Sequence, residues 1–394
     1  MLAPLYVPTL LMSVSQEATL ILLPLYVLEL GGSPAFAAFV VGVRGIGLLL
    51  LDVPAGMLAA RFGDKPLLTG GVASLFVGLI VLAGAPGLWA VLAAAVLLGA
   101  GHSAWMLGRQ SYIAQVCLNE EVGRAIAGMA GLQRVGSFIG PAAGGLIAGA
   151  LGYSAAFLAG AGCALVAAVF VLSFAQHVPQ PRRAPGSLLG ETGTILRTYR
   201  KEFATAGVAA LALQLMRATR QLLVPLFGQA IGLGAGAIGV LYSLSAAIDM
   251  SLFYPVGVLV DRRGRKWSAV PSMLLFAIGL ALLPLAEGFY GLLAVVLLLG
   301  LANGLGTGVV MIIGADLAAA SGRRGEFLGV WRLIGDVGMS GAPLLAGALV
   351  QVSGLVLASS VAAGIGFAGV LIMTFLVTET LRRVPQTGGG TRAL

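Results

Sequence analysis

Apolar runs of about 20 residues recur from one end of this chain to the other, and each is long enough to cross the hydrocarbon core of a bilayer. In hydrocarbon every backbone N–H and C=O has to be paired within its own segment, so runs of this length are helices. The composition agrees: 59% of the 394 residues are hydrophobic and only 10% are charged, where a soluble domain carries about 25% charge. The 59 glycines let such helices approach one another closely. Spans are expected near residues 5–28, 37–60, 66–86, 88–109, 125–150, 154–175, 203–231, 237–260, 267–286, 290–314, 328–351 and 355–378.

The polar residues between the spans set the topology. Arg61 and Lys65, Arg124, Arg182 and Arg183, Arg197, Arg200 and Lys201, Arg262 to Lys266, Arg323 and Arg324, and Arg382 and Arg383 all fall on one side. The other side has only Glu29 and Glu287. Basic loops stay in the cytoplasm, so both termini are expected there, in a multi-pass protein of the cell (inner) membrane. The net charge of +8 is therefore topological and excludes a nucleic-acid partner. Cys117 falls in a loop and Cys163 in a span, which implies neither a disulfide framework nor a metal site. The N-terminus lacks a charged segment followed by a small-residue cleavage site, so no cleaved leader is expected.

The one long polar stretch, 176–202, carries Pro179, Pro181, Pro185 and Gly186 and reads as a cytoplasmic linker. It separates an N-terminal bundle, 1–175, from a C-terminal bundle, 203–378, with a tail over 379–394. An offset of 201 residues lays Pro24-Leu25-Tyr26 on Pro225-Leu226-Phe227, and Pro54 and Gly56 on Pro255 and Gly257. It also lays Arg61, Gly63 and Lys65 on Arg262, Gly264 and Lys266. An offset of 202 brings Gly136, Pro141 and Gly145 onto Gly338, Pro343 and Gly347. Two parallel six-helix repeats are an architecture in which one half rocks against the other about a midplane site.

Three segments carry a family resemblance. Gly257-Val-Leu-Val-Asp261-Arg262-Arg-Gly264-Arg265-Lys266 resembles the loop 8–9 motif G-x-x-x-D-R-x-G-R-K of the major facilitator superfamily, and Gly56-Met-Leu-Ala-Ala60-Arg61-Phe-Gly63-Asp64-Lys65 resembles its loop 2–3 copy. Gly136-Ser-Phe-Ile-Gly140-Pro141-Ala-Ala-Gly144-Gly145 is similar to the fifth-helix motif of the drug:proton antiporter branch. The resemblance implies the superfamily's fold, with twelve helices in two six-helix repeats, and a protein working as a monomer. Two departures stand out. Ala60 replaces the first motif's aspartate, with Asp64 where a base belongs. Ala95 stands where the branch carries a fourth-helix arginine, although Leu98-Gly99-Ala100-Gly101 matches the end of that motif. In physical terms these segments supply small residues for close crossings, a proline that bends the fifth helix, and Asp261 near a helix N-terminus.

Nine ionisable residues lie inside the spans: Glu17, Arg44, Asp52, Arg134, Arg217, Arg220, Asp249, Arg332 and Asp336. Such residues face an aqueous cavity or one another. They avoid the third, sixth, ninth and twelfth helices, which the resemblance places on the outside. The framework repeats but these charges do not: Glu17 aligns with Ala218, Arg44 with Ser245 and Asp52 with Phe253. At about 1.5 Å of rise per residue, Asp52, Arg134, Asp249, Arg332 and Asp336 lie nearer the cytoplasmic side. Glu17, Arg44, Arg217 and Arg220 lie at or beyond the midplane. Since the resemblance implies a fifth helix beside the eighth and a second beside the eleventh, gating pairs Arg134–Asp249 and Asp52–Arg332 are expected, closing the cytoplasmic side in the outward-open state. Arg332 and Asp336, one turn apart, offer a further pair.

The deeper residues, with His102 and Asn303 at equivalent places on the fourth and tenth helices, are the candidate substrate and proton site. Asp316 is expected to anchor a loop. No cofactor is implied beyond a coupling proton, and the expected partners are a small-molecule substrate and the lipid bilayer. The leading reading is secondary efflux of an amphiphilic molecule by proton antiport. The alternatives are a carrier of organic anions or lipid-like metabolites and, more remotely, a membrane enzyme or receptor. The sequence contains no phosphate-binding loop, metalloprotease motif or nucleophile elbow.

Overall fold

The computed structural model describes residues 3–116, 119–174 and 188–381, and among them all regular structure is helical. Cys117, Arg182, Arg183, Arg382 and Arg383 lie outside this set, as does the Arg61 side chain. The first six spans are α1 (Ala3–Glu29), α2 (Pro34–Phe62), α3 (Asp64–Ala83), α4 (Leu88–Val116), α5 (Asn119–Leu151) and α6 (Tyr153–Phe174). The second six are α7 (Val208–Ala230), α8 (Ala235–Arg263), α9 (Lys266–Leu282), α10 (Gly288–Leu305), α11 (324–352) and α12 (355–371). Helix α7 is entered through a π-turn at Phe203–Gly207. The last two spans are continuous except at Ser353 and Gly354, where non-helical backbone turns the chain.

Three details depart from expectation. The linker holds an amphipathic helix, Leu188–Thr198, whose Ile195 is fully buried, and Tyr199 beyond it donates to the Ser321 carbonyl at 2.7 Å. Helix α10 stops at Leu305 and resumes as Val309–Ser321, because Gly304, Gly306 and Gly308 weaken it. Helix α7 is less apolar than its neighbours, since Gln214, Arg217, Arg220 and Gln221 give it a polar face.

Within the first half α1 packs on α5 and α6, α3 on α4 and α6, and α2 on α4. In the second half α7 packs on the last two spans, and α10 on α8 and α9. The halves meet where α2 crosses α11, where α5 crosses α8, and along α1 and α7. Under the internal repeat α2 corresponds to α8 and α5 to α11, so the two main crossings are one contact made twice.

The close glycine contacts of those crossings lie toward the end that lacks basic residues. Gly45 meets Ser340, whose hydroxyl donates to the Gly45 carbonyl at 3.1 Å, and Gly42 meets Leu344. A methyl group built on Gly239 runs into the Pro141 carbonyl oxygen. The Ala142 N–H that follows this proline donates to Ser243 Oγ at 2.9 Å. The halves are thus closed at the neutral end.

The loop motifs have a structural account at the basic end. Gly63 and Gly264 take φ of 86° and 107°, which residues with a Cβ rarely adopt. The lysine two residues later reaches the C-terminal end of the last helix of its own half. Lys65 Nζ donates to the Leu172 carbonyl at 2.8 Å, and Lys266 Nζ to those of Thr374 and Val377 at 2.6 and 2.9 Å. Helix C-termini present unpaired carbonyls and partial negative charge, so a lysine there satisfies both. Arg265 pairs with Asp316 at 2.8 Å, and Thr380 donates to the same carboxylate at 2.8 Å, which anchors the loop. Asp261 is exposed and does not take part, whereas Asp64 is buried. Glu379 instead caps α9, accepting from the backbone N–H of Arg265 at 2.9 Å and of Lys266 at 3.1 Å.

Two expectations follow. Gly239→Val overpacks the α5–α8 crossing and should cost about 1–3 kcal/mol, read as a lower melting temperature in detergent with reduced transport. The second concerns Glu379. Its partial burial pushes the carboxyl upward, but the backbone N–H groups of Arg265, Lys266, Leu381 and Thr380 outweigh it and hold the value below normal. A lowered folded-state value means that the stabilisation is whole above the ordinary carboxylate range and disappears as pH falls through the lowered value. Glu379→Gln should therefore cost about 1 kcal/mol at neutral pH, and its melting temperature should converge with the parent's in acid.

Candidate functional site

Two adjoining cavities lie between the halves, of about 300 and 270 Å3. Glu17 on α1, Gln221 on α7 and Met339 on α11 line both, so they form the partition. Arg44 and His102 line the first chamber, and Arg217, Arg220 and Asn303 line the second. All six sequence-derived substrate and proton candidates thus face one of the two chambers.

The side chains are held unequally. Glu17 accepts from Ser137 Oγ at 3.0 Å and has no cation within 4.0 Å among the described residues. His102 Nδ1 pairs with Gln16 Oε1 at 2.8 Å. Arg217 donates to Gln214 at 2.9 Å and to the Gly306 carbonyl at 2.6 Å. That carbonyl sits in the break of α10, where its backbone partner is a long bond from the Val309 N–H at 3.4 Å in place of a helical one, so the glycines that interrupt the helix also create an anchor for the arginine. Arg220 donates to Ser245 Oγ at 2.7 Å and lies 5.3 Å from the centre of the Tyr242 ring. Arg44 has no hydrogen bond or ion pair among the described residues, and its Nε is buried without a partner.

Of the expected gating pairs, one is present. Arg134 on α5 and Asp249 on α8 meet at 3.0 Å across the two halves, with Phe253 4.3 Å beneath the guanidinium. Thr307 donates to the other carboxylate oxygen at 3.1 Å. The Asp52–Arg332 pair is absent. Asp52 accepts a short hydrogen bond from Ser103 within its own half, and Arg332 turns back to Asp336 at 3.5 Å within α11. The reason is geometric: α2 and α11 meet at the neutral end, and each charge further down takes the partner its own half offers. Arg134–Asp249 also forms while the neutral end is closed, so it is not confined to the outward-open state.

Sequence reasoning attended to ionisable residues and passed over the neutral ones that hold them. Ser137, Thr307, Ser245 and Gln214 were legible as single polar residues in apolar spans, one turn or less from a charge or an equivalent site. It also passed over Arg109 on α4, which is 3% exposed with Nε and Nη1 unpartnered and Nη2 3.1 Å from Met106 Sδ.

A membrane protein of two repeated helical bundles, with buried charges gathered around a cavity between them, is built as a secondary transporter. The chain belongs to the major facilitator superfamily, whose family description matches residues 5–219 and 206–393. It is a transporter rather than an enzyme. It is 26% identical over 326 residues to multidrug resistance protein MdtH of Edwardsiella ictaluri (strain 93-146), covering 79% of this chain and 78% of that one. It is 28% identical over 251 residues to the class C tetracycline resistance protein of Escherichia coli, covering 59% of each. In fold it is similar to a POT family transporter solved in complex with 5-aminolevulinic acid, with a TM-score of 0.81 at 11% identity over 95% of this chain and 94% of that one.

Breaking a buried ion pair on one side strands the other charge, at a cost of about 3 kcal/mol or more. Arg134→Asp and Asp249→Arg should each lower stability and abolish transport, and the double exchange should restore both. Failure of the double exchange, with both proteins folded, would discard the pair as a bridge between halves.

Proposed function

We propose that this transporter exports a small amphiphilic molecule in exchange for protons, with Glu17 as the group that carries the proton. The observation behind this reading is the position of Glu17 on the partition between the chambers, held by one neutral hydroxyl and by no cation at contact distance. A serine hydroxyl donates to a carboxylate and accepts from a carboxylic acid, so Ser137 supports either protonation state without rearrangement. Arg44 faces the same chamber and compensates the carboxylate when the proton has left. The relatives' association with multidrug resistance and tetracycline resistance favours export of foreign amphiphiles.

In this reading the protein sits in the cell inner membrane as a monomer with both termini in the cytoplasm, and its basic end faces the cytoplasm. The form described here is then closed outward, and the halves rock about the α2–α11 and α5–α8 crossings to open that side. Asp52 and Arg332 would leave their present partners and meet as the cytoplasmic side closes. No cofactor beyond the coupling proton takes part.

In proteoliposomes Glu17→Gln should remove the dependence of cargo movement on a pH gradient while leaving a folded protein. Unchanged gradient dependence would transfer the proton site to Asp52 or Asp249.

A further inference from the structure

The polar atoms of the first chamber narrow what the cargo is. Buried donors there lack acceptors: Arg44 Nε has no partner, and neither has Gln16 Nε2, whose amide oxygen is taken by His102. Both residues also line a small cleft opening beside the chamber. Each buried donor left unpaired costs about 1–3 kcal/mol, and what satisfies a guanidinium and an amide N–H together is an anionic oxygen group. A carboxylate matches the planar fork of the guanidinium.

The same chamber holds a charge of the other sign that the arginines reach only at a distance. Glu17 accepts one hydroxyl and meets no cation within 4.0 Å among the described residues, although it and Arg44 share the cavity. The other charged groups around Glu17 have partners elsewhere. Arg217 is tied to Gly306 and Gln214 and Arg220 to Ser245, each with its Nε left over, while His102 is tied to Gln16 and Asp249 to Arg134 and Thr307. Arg44 is the arginine of the two chambers with no hydrogen bond among the described residues, and Glu17 has only that from Ser137. Leu20, Val41, Leu48, Met106 and Met339 supply an apolar wall to the same space.

The geometry points to an amphiphilic zwitterion as the cargo, with its acidic group on Arg44 and Gln16, its basic group on Glu17, and its apolar body against the α1, α2 and α4 wall. This rests on the exporter reading above and explains how cargo and proton exclude one another. The basic group and a proton compete for Glu17, so loading cargo releases the proton. A simple anion would do the opposite, since protonating Glu17 leaves Arg44 to the anion and the two would travel together. A simple cation would leave the Arg44 and Gln16 donors unpaired.

Tryptophan, indolepropionate and tryptamine share one apolar body and differ in charge, so their binding to the purified protein separates these cases. The zwitterion should bind about tenfold or more tightly than either partner. Arg44→Gln should reduce it to the level of tryptamine, and Glu17→Gln to that of indolepropionate. Zwitterion affinity should fall as the pH is lowered in the parent and stay level in Glu17→Gln. Equal binding of all three, no binding by any, or a preference for either singly charged compound would overturn the assignment. Flux in proteoliposomes tests the exporter reading separately. Gradient-driven movement of tryptamine alone would remove the zwitterion seat and keep the transporter, whereas zwitterion binding with no driven movement would do the reverse.

Discussion

A charge placed against acyl chains costs several kcal/mol, and everything distinctive about this molecule follows from keeping its intramembrane charges away from lipid. Glu17, Arg44, Arg217, Arg220 and Asp249 lie on four otherwise apolar helices, and the fold turns all of them toward the space between two bundles. A single bundle of six helices has no water-filled interior to receive them. Two bundles touching along one end leave a gap that can.

The repeat explains how that gap is both built and closed. Because α2 corresponds to α8 and α5 to α11, two equivalent crossings flank the cavity symmetrically, and glycine at Gly45 and Gly239 lets backbone approach side chain and backbone there. Motion about such crossings needs no helix to break. The lysines at Lys65 and Lys266 tie each loop to the last helix of its own half, so each bundle holds together as it moves. The cavity is where the unrepeated charges stand: the scaffold is largely duplicated and the cavity's chemistry is not.

The two-bundle architecture was legible because span length, basic-loop alternation and the offset of about 201 residues are properties of the chain taken in order. The Arg134–Asp249 bridge was legible from helix adjacency and depth. The Asp52–Arg332 pair was not resolved in the same way, since depth places two charges at one level but does not say whether their helices converge there. Ser103 and Asp336, each within its own half, are nearer partners in the present form. The Gly306 anchor of Arg217 was also hidden. It depends on a helix breaking at three glycines inside an apolar run, and apolar periodicity alone reads that run as continuous. The same limit concealed the helix at Leu188–Thr198, which lies next to a proline-rich stretch.

The central claim is that the two halves expose one charged cavity to opposite ends in turn. Pulsed spin-label distances test it most directly, with one pair at Glu29 and Ala230 at the neutral end and another at Arg124 and Arg324 at the basic end. Across a pH titration in lipid, the neutral-end distance should lengthen as the basic-end distance shortens, in the same proportion of molecules. Two distances that change together, or that stay constant while cargo is transported, would contradict the account.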